Sequence, residues 1–144
     1  MGYVAEPLFT KPIILTGRVG TLGSVFRISN PCWPSDNTLI VIPCTERVFE
    51  YLYYCMKSFD FEALNRGSTQ PLITQTDLKN QNLLIPPDDV LYEFHRHATV
   101  CFKKIDRANK ESYTLADLRD SLLPKLIRGE IRVKDAERFI EKSL

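Results

Sequence analysis

From Asp88 to Leu123 the chain contains neither glycine nor proline, and this stretch limits its architecture more than any other feature. Nothing in the backbone chemistry forces a break there. Leu91, Phe94, Ala98, Cys101, Ile105 and Ala108 alternate three and four apart, the spacing of a coiled-coil seam. Asp88 and Asp89 fall in the first turn, where negative charge suits the helix dipole. Leu115, Leu118, Leu122 and Leu126 carry the stripe onward, and Gly129 follows Arg128 as a stop signal. The polar run Asn109–Thr114 admits a turn, and Thr114 ahead of Asp117 has the form of a cap for a second helix. The reading adopted is a single helix over 88–128, about 60 Å long at 1.5 Å per residue, with a two-helix hairpin as the alternative. Ser112 and Arg119 interrupt its seam, and Pro124 is expected to bend its last turn.

The preceding 87 residues differ in kind. Ile13–Leu15, Val25–Ile28 and Leu39–Ile42 are short aliphatic runs bounded by Gly, Pro, Asn and Ser, and they read as strands. Val48, Phe49, Leu52, Tyr53, Met56 and Phe59 recur at helical spacing, which predicts an amphipathic helix over Glu46–Phe59 lying on those strands. Asn65–Thr69 is a polar loop, Thr74–Lys79 a short helical turn, and Leu83–Ile85 a last strand closed by Pro86 and Pro87. The expected fold is therefore α/β in composition and α+β in order: a small mixed domain of short strands and helices over 1–87, then a long coiled-coil-type helix over 88–128. A short extended segment and a terminal helix over 129–144 complete it, with Glu130–Val133 extended and Ala136–Leu144 helical. An apolar seam so long exceeds what a domain of this size can cover and needs a partner: the other arm of a two-helix hairpin, or a helix from a second domain or another chain, and composition alone does not choose between them.

Chemistry-bearing motifs are few. Cys32, Cys44, Cys55 and Cys101 form no Cys-x-x-Cys pair, and they read as free, mostly buried thiols. His95 and His97 stand two apart, so on a helix they diverge and no metal site is expected. Asn30-Pro-Cys-Trp33 only half matches methyltransferase motifs; Trp33 is read as core and Cys32 as structural, and no catalytic residue is assigned. Thr16-Gly-Arg-Val-Gly-Thr-Leu-Gly23 follows a strand but precedes another strand and lacks a terminal Lys-Ser or Lys-Thr. A nucleotide site is therefore set aside in favour of a hairpin-type turn that lets backbone approach something closely. Arg18 in it is a bidentate donor of the kind that meets phosphate or guanine, or else a plain surface arginine. Asn65-Arg-Gly-Ser-Thr-Gln70 carries amide, hydroxyl and guanidinium groups suited to base edges and phosphates, which solvated loops also carry. Charge does not help: seven basic and seven acidic residues precede Pro87, and twelve and eleven follow it, so the basic footprint of a nucleic-acid binder is missing. No apolar run reaches the ~18 residues of a membrane span, and no signal-peptide pattern opens the chain; the expected compartment is the cytoplasm.

Three segments together resemble the target-recognition domain and following helix of the specificity subunits of type I restriction–modification enzymes. They are Thr16–Gly23 continuing through Cys32-Trp-Pro-Ser-Asp-Asn-Thr38; Gly67-Ser-Thr-Gln-Pro71 with Asp77-Leu78 and Ile85-Pro-Pro87; and Leu115-Ala-Asp-Leu-Arg-Asp-Ser-Leu-Leu-Pro-Lys-Leu-Ile-Arg-Gly-Glu-Ile-Arg-Val133. The resemblance covers about Lys11 to Val133. It implies sequence-specific recognition of double-stranded DNA by a non-catalytic subunit that carries two recognition domains, whose helices pair antiparallel as a ruler between half-sites. It further implies docking of methyltransferase subunits, which bring S-adenosylmethionine as their own cofactor, and a motor and nuclease subunit that joins for cleavage. With one recognition unit, and a glycine-rich loop close to Met1, the chain is expected to be a fragment or a short subunit that forms a homodimer through the long helix.

Carried over position by position, the resemblance assigns DNA contact to Arg18 and Thr21 in the first loop, and to Arg66, Ser68, Thr69 and Gln70 in the second, with Gln75 and Lys79 beyond. Gly17, Gly20, Gly23 and Gly67 shape the loops. Leu91, Phe94, Ala98, Cys101, Ile105, Leu115, Leu118 and Leu122 are the expected interface for a partner helix. Two further functions compete: an assembly-only module that binds methyltransferase or specificity subunits without reading DNA, and an enzyme acting on nucleic acid, which the motifs do not support.

Overall fold

A computed structural model describes residues 5–20, 22–67 and 69–132. The β-branched runs pair as a three-stranded antiparallel sheet in the order β2-β1-β3, with β1 at Ile13–Gly17, β2 at Val25–Ile28 and β3 at Thr38–Val41. Register places Arg27, Ile14 and Val41 in one row across the sheet, and Val25, Thr16 and Leu39 in the next. Side chains alternate across a strand, so these two rows share a face. On it lies α1 (Glu46–Lys57), whose Phe49 and Met56 pack with Ile14, all three at most 3% exposed. Val25, Val41, Leu52, Tyr53, Phe59 and Leu78 surround them. Full burial of such side chains stabilises by about 2 kcal/mol each, and this cluster holds helix to sheet.

The β1–β2 ladder extends beyond its strands. Phe9 and Cys32 exchange backbone bonds of 2.9 and 3.0 Å, in the same register as Ile13 with Ile28. A short helix, α2 (Gln75–Lys79), follows at the expected place, opened by Thr74. The long helix α3 then runs unbroken over Asp88–Ile127. Thr114, the candidate cap for a second helix, instead donates its hydroxyl to the Lys110 carbonyl 3.1 Å away inside α3. Pro124 lies inside the helix. The stop is where the sequence puts it: Gly129 has φ +71°, the Glu130 amide donates to the Lys125 carbonyl, and the Gly129 amide donates to that of Leu126. This pair of bonds is a Schellman ending, which glycine makes without steric cost.

Contacts divide the chain into two compact units, Met1–Thr99 and Val100–Leu144. The first three turns of α3 therefore belong with the sheet. There Leu91 is buried, and Phe94 meets Tyr51 and Tyr54 edge-on at centroid distances of 6.0 and 6.1 Å. In the second unit Phe102 and Leu122 are buried, while Val100, Ile105, Tyr113, Leu115, Leu123 and Ile127 are exposed. Among the described residues no helix is long and apolar enough to cross a membrane.

Four expectations need correction. Leu83–Ile85 is extended but forms no ladder; Pro86 and Pro87 lack amide donors, Leu83 and Ile85 instead line apolar clefts of about 340 and 530 Å³ beside α1, and the Tyr51 hydroxyl bonds the Leu84 carbonyl. Trp33 is 57% exposed rather than core, next to the isolated Phe9–Cys32 bridge and outside the three strands. Cys44 and Cys101 are exposed and Cys32 and Cys55 half-buried, so the free thiols are not mainly interior. The first helix ends at Lys57, two residues before Phe59, where the Ser58 hydroxyl bonds back to the Cys55 carbonyl. The expected terminal helix over Ala136–Leu144 lies outside the described residues.

Candidate nucleic-acid interface

Beyond Gly17 the chain leaves the sheet, and its backbone pairs with the segment after the second polar loop. The Ile73 amide donates to the Arg18 carbonyl at 3.0 Å, the Gly20 amide donates to the Pro71 carbonyl at 3.1 Å, and Val19 bridges Leu72. The first and second loops are thus stitched side by side. The first turns through Gly20 and Gly23, at φ +84° and +80°, a region that residues with a Cβ rarely enter. Gly23 also sits against the ring of Phe61, which with Ile73 forms the buried footing of the second loop.

The second loop owes its shape to one amide side chain. Asn65 Oδ1 accepts from the Gly67 amide at 2.9 Å and from the Leu72 amide at 3.0 Å, and the Arg66 amide donates to the Leu72 carbonyl at 3.0 Å. Gly67 has no room for anything larger, since a Cβ there would fall 1.8 Å from the Gln70 carbonyl oxygen. At its far end the loop is latched to α2. Asp77 is buried and its Oδ2 accepts from the Thr74 amide and hydroxyl, while its own amide donates to the Thr74 hydroxyl at 3.2 Å. Arg66 Nε donates to Asp77 Oδ1 at 2.6 Å. The Thr74 hydroxyl first, then the Thr74 amide and the Arg66 guanidinium, hold the Asp77 carboxyl below its ordinary range.

A third loop joins these two. The Arg18 amide donates to the Asn37 carbonyl at 2.9 Å, and a tight turn of Ser35 to Thr38 presents Asn37, with the Thr38 hydroxyl bonded to the Ser35 carbonyl at 2.6 Å. Both Arg18 and Asn37 are exposed. Guanidinium and carboxamide groups are the two that pair bidentately with guanine and adenine edges in the major groove.

Of the residues expected at a DNA surface, Arg18, Thr69 and Gln70 stand exposed on the stitched loops. Arg66 belongs to the same loop, but its guanidinium is taken by Asp77, with the side chain still 64% exposed. Thr21 and Ser68 lie outside the described residues. Gln75 and Lys79 are exposed on one face of α2 and line the smaller apolar cleft beside β3. Gly17 closes β1 opposite Thr38. Of the seam residues, Leu91 and Phe94 are covered within the first unit, Ala98 and Leu118 are half-buried, Cys101, Ile105 and Leu115 are exposed and Leu122 is buried. Asn37 and the Asp77 latch were not singled out as site residues. The Ser-Asp-Asn turn and the Thr-x-x-Asp spacing are the sequence signals that mark them.

Residues 1–93 match the family described as Type I restriction modification DNA specificity domain. The type I restriction enzyme MjaIX specificity subunit of Methanocaldococcus jannaschii is 35% identical over 88 residues, 59% of this chain and 20% of that protein. The type I restriction enzyme HindI specificity subunit of Haemophilus influenzae is 28% identical over 134 residues, 90% of this chain and 29% of that protein. The chain thus spans between a fifth and a third of the length of these curated relatives.

Proposed function

This chain belongs to the type I restriction modification DNA specificity domain family, and on that premise we propose that it is a non-catalytic module that reads duplex DNA through its three joined loops. The observation that carries the reading is the stitching of Arg18–Gly20 to Pro71–Ile73, with Asn37 hung from the Arg18 amide. It presents an arginine, two amides and a hydroxyl from separate loops on one rigid backbone frame. Base reading needs such preorganisation, because a mobile donor loses in ordering what it gains in contact. Arg18 supplies the guanine- or phosphate-directed fork, Asn37 and Gln70 the amides, and Thr69 the hydroxyl.

Methyl transfer belongs, in this reading, to a separate methyltransferase subunit that binds S-adenosylmethionine, and this chain holds no cofactor of its own. The exposed stretch of α3 around Ile105 and Leu115 pairs with a second helix, either in a longer specificity subunit or in a homodimer of this chain, and helps to dock the methyltransferase. A motor and nuclease subunit reaches the assembly through it, in the cytoplasm. The even charge over the first 87 residues, seven of each sign, favours a second reading: assembly with methyltransferase or specificity subunits without DNA reading.

The test is selection from randomised duplex DNA at about physiological salt, where non-specific attraction is modest, with and without a methyltransferase subunit. Enrichment of a short motif supports the main reading, and Arg18→Ala then relaxes one position by about 1–3 kcal/mol. Binding to a methyltransferase subunit with no enrichment refutes DNA reading and leaves the assembly role.

A further inference from the structure

Glu50, on the sheet-facing helix α1, is a charged side chain only 3% exposed. Its ionic partners come from two other elements. Oε1 faces Nη2 of Arg27 on β2 at 3.5 Å, and Oε2 faces Nδ1 of His95 on α3 at 3.1 Å. The Arg27 guanidinium is itself confined, its side chain 11% exposed and its centre 5.1 Å above the Phe49 ring. His95 Nδ1 also lies 3.3 Å from the Thr99 hydroxyl, one turn further along α3. A carboxylate oxygen accepts, so the Glu50–His95 contact is a hydrogen bond in the tautomer whose Nδ1 carries the hydrogen.

Such a group is a poor source of net stability, because desolvating the charges offsets much of their attraction. What it supplies is direction. The ring contacts of Phe94 with Tyr51 and Tyr54 of α1 tolerate sliding and rotation, whereas a carboxylate with one oxygen facing β2 and the other facing α3 does not. We propose that Glu50 is a positioning residue: a joint that fixes the first three turns of α3 on the sheet and α1, so that the recognition loops and those turns move together. Its consequence for DNA, a fixed spacing between two recognised half-sites, rests on the function proposed above.

The experiment measures amide hydrogen exchange on the full chain for wild type, Glu50→Gln, His95→Ala and His95→Lys. If Glu50 is the joint, amides of residues 91–99 exchange about tenfold faster in Glu50→Gln and His95→Ala, while those of β1 stay within about twofold, because the opening is local. His95→Lys, which restores a donor to Glu50, recovers most of the protection. Unchanged exchange over 91–99, or equal acceleration in β1 and α3, overturns the proposal; should Glu50→Gln fail to fold, the two His95 variants decide by the same criterion. The same variants then enter the DNA selection. A retained motif with a broadened spacing between copies supports the joint, and a retained motif with unchanged spacing overturns its reach to DNA. A wild type that enriches no motif defeats the DNA reading alone, since exchange still decides the joint.

Discussion

Adding one methyl group at each of two glycines separates the two ways in which this interface depends on glycine. At Gly67 a Cβ would lie 1.8 Å from the Gln70 carbonyl oxygen, 2.8 Å from its carbon and 3.2 Å from the Leu72 nitrogen. All three are backbone atoms, so no side chain can swing aside, and the 65–72 loop must open. Opening it breaks the two bonds that Asn65 Oδ1 accepts from Gly67 and Leu72. At about 1 kcal/mol for each bond, Gly67→Ala should destabilise the protein by about 2 kcal/mol. At Gly20 there is nothing within 4 Å of the added carbon, but φ is +84°. Gly20→Ala therefore carries only the backbone penalty, about 1 kcal/mol. Urea unfolding gives both values from the midpoint shift at constant slope. DNA selection supplies the second readout: Gly67→Ala, which moves Thr69 and Gln70, should abolish or change the enriched motif, while Gly20→Ala weakens enrichment without changing it. Gly67→Ala with an unaltered midpoint, or Gly20→Ala proving the more damaging, would refute the steric reasoning.

Three further outcomes follow from burial and charge. Asp77 has a folded pKa below the unfolded value of about 3.9, so its latch contributes in full above that value and is lost as pH falls through the lower folded one. The stability gap between wild type and Asp77→Asn should accordingly hold steady at neutral pH and shrink below about pH 4 in urea titrations; a gap that widens on acidification reverses the assignment. Thr16 is fully buried and its hydroxyl has no hydrogen-bond partner among the described residues, so Thr16→Val should raise stability by about 1 kcal/mol, and a loss of that size would mean the hydroxyl is satisfied. Leu91→Asp should destabilise the folded chain by about 3 kcal/mol or more, whereas Ile105→Asp, at a residue 50% exposed, should leave the unfolding midpoint alone and abolish association with a partner helix; sedimentation that shows no change in association removes Ile105 from the seam.

Much of the framework was legible because it follows from local chemistry. The strands sit in β-branched runs between Gly, Pro and Asn, α1 and α3 show the three-and-four period, and Gly129 ends α3 by the one conformation that glycine takes freely. Loops were legible as loops, but not their joining, since the bonds from Gly20 to Pro71 and from Ile73 to Arg18 link segments some fifty residues apart. Arg66 shows what composition leaves out. Composition marks it as an exposed cation in a polar loop; the fold brings Asp77, eleven residues on, beneath it. Trp33 does mislead, because size and apolarity suggest burial, while the fold leaves it 57% exposed. Glu50 is the plainest case: its partners lie 23 and 45 residues away, on a strand and on another helix, and no pattern around it distinguishes it from a solvated helix glutamate.

The seam of α3 shows where periodicity stops short of function. Heptad spacing establishes that a stripe is apolar; it does not say what covers it. In this chain one stripe serves two purposes. Leu91 is buried, Phe94 meets Tyr51 of the molecule's own α1, and the Glu50–His95 contact fastens the same turns. From Val100 onward the character changes, with Val100, Ile105 and Leu115 each about half exposed. Exposed apolar side chains at coiled-coil spacing are stabilised only when another surface covers them. The first turns are therefore an anchor and the later ones a surface offered outward. The anchorage of those first turns is ionic and directional as well as apolar, since Glu50 reaches both Arg27 on β2 and His95 on α3.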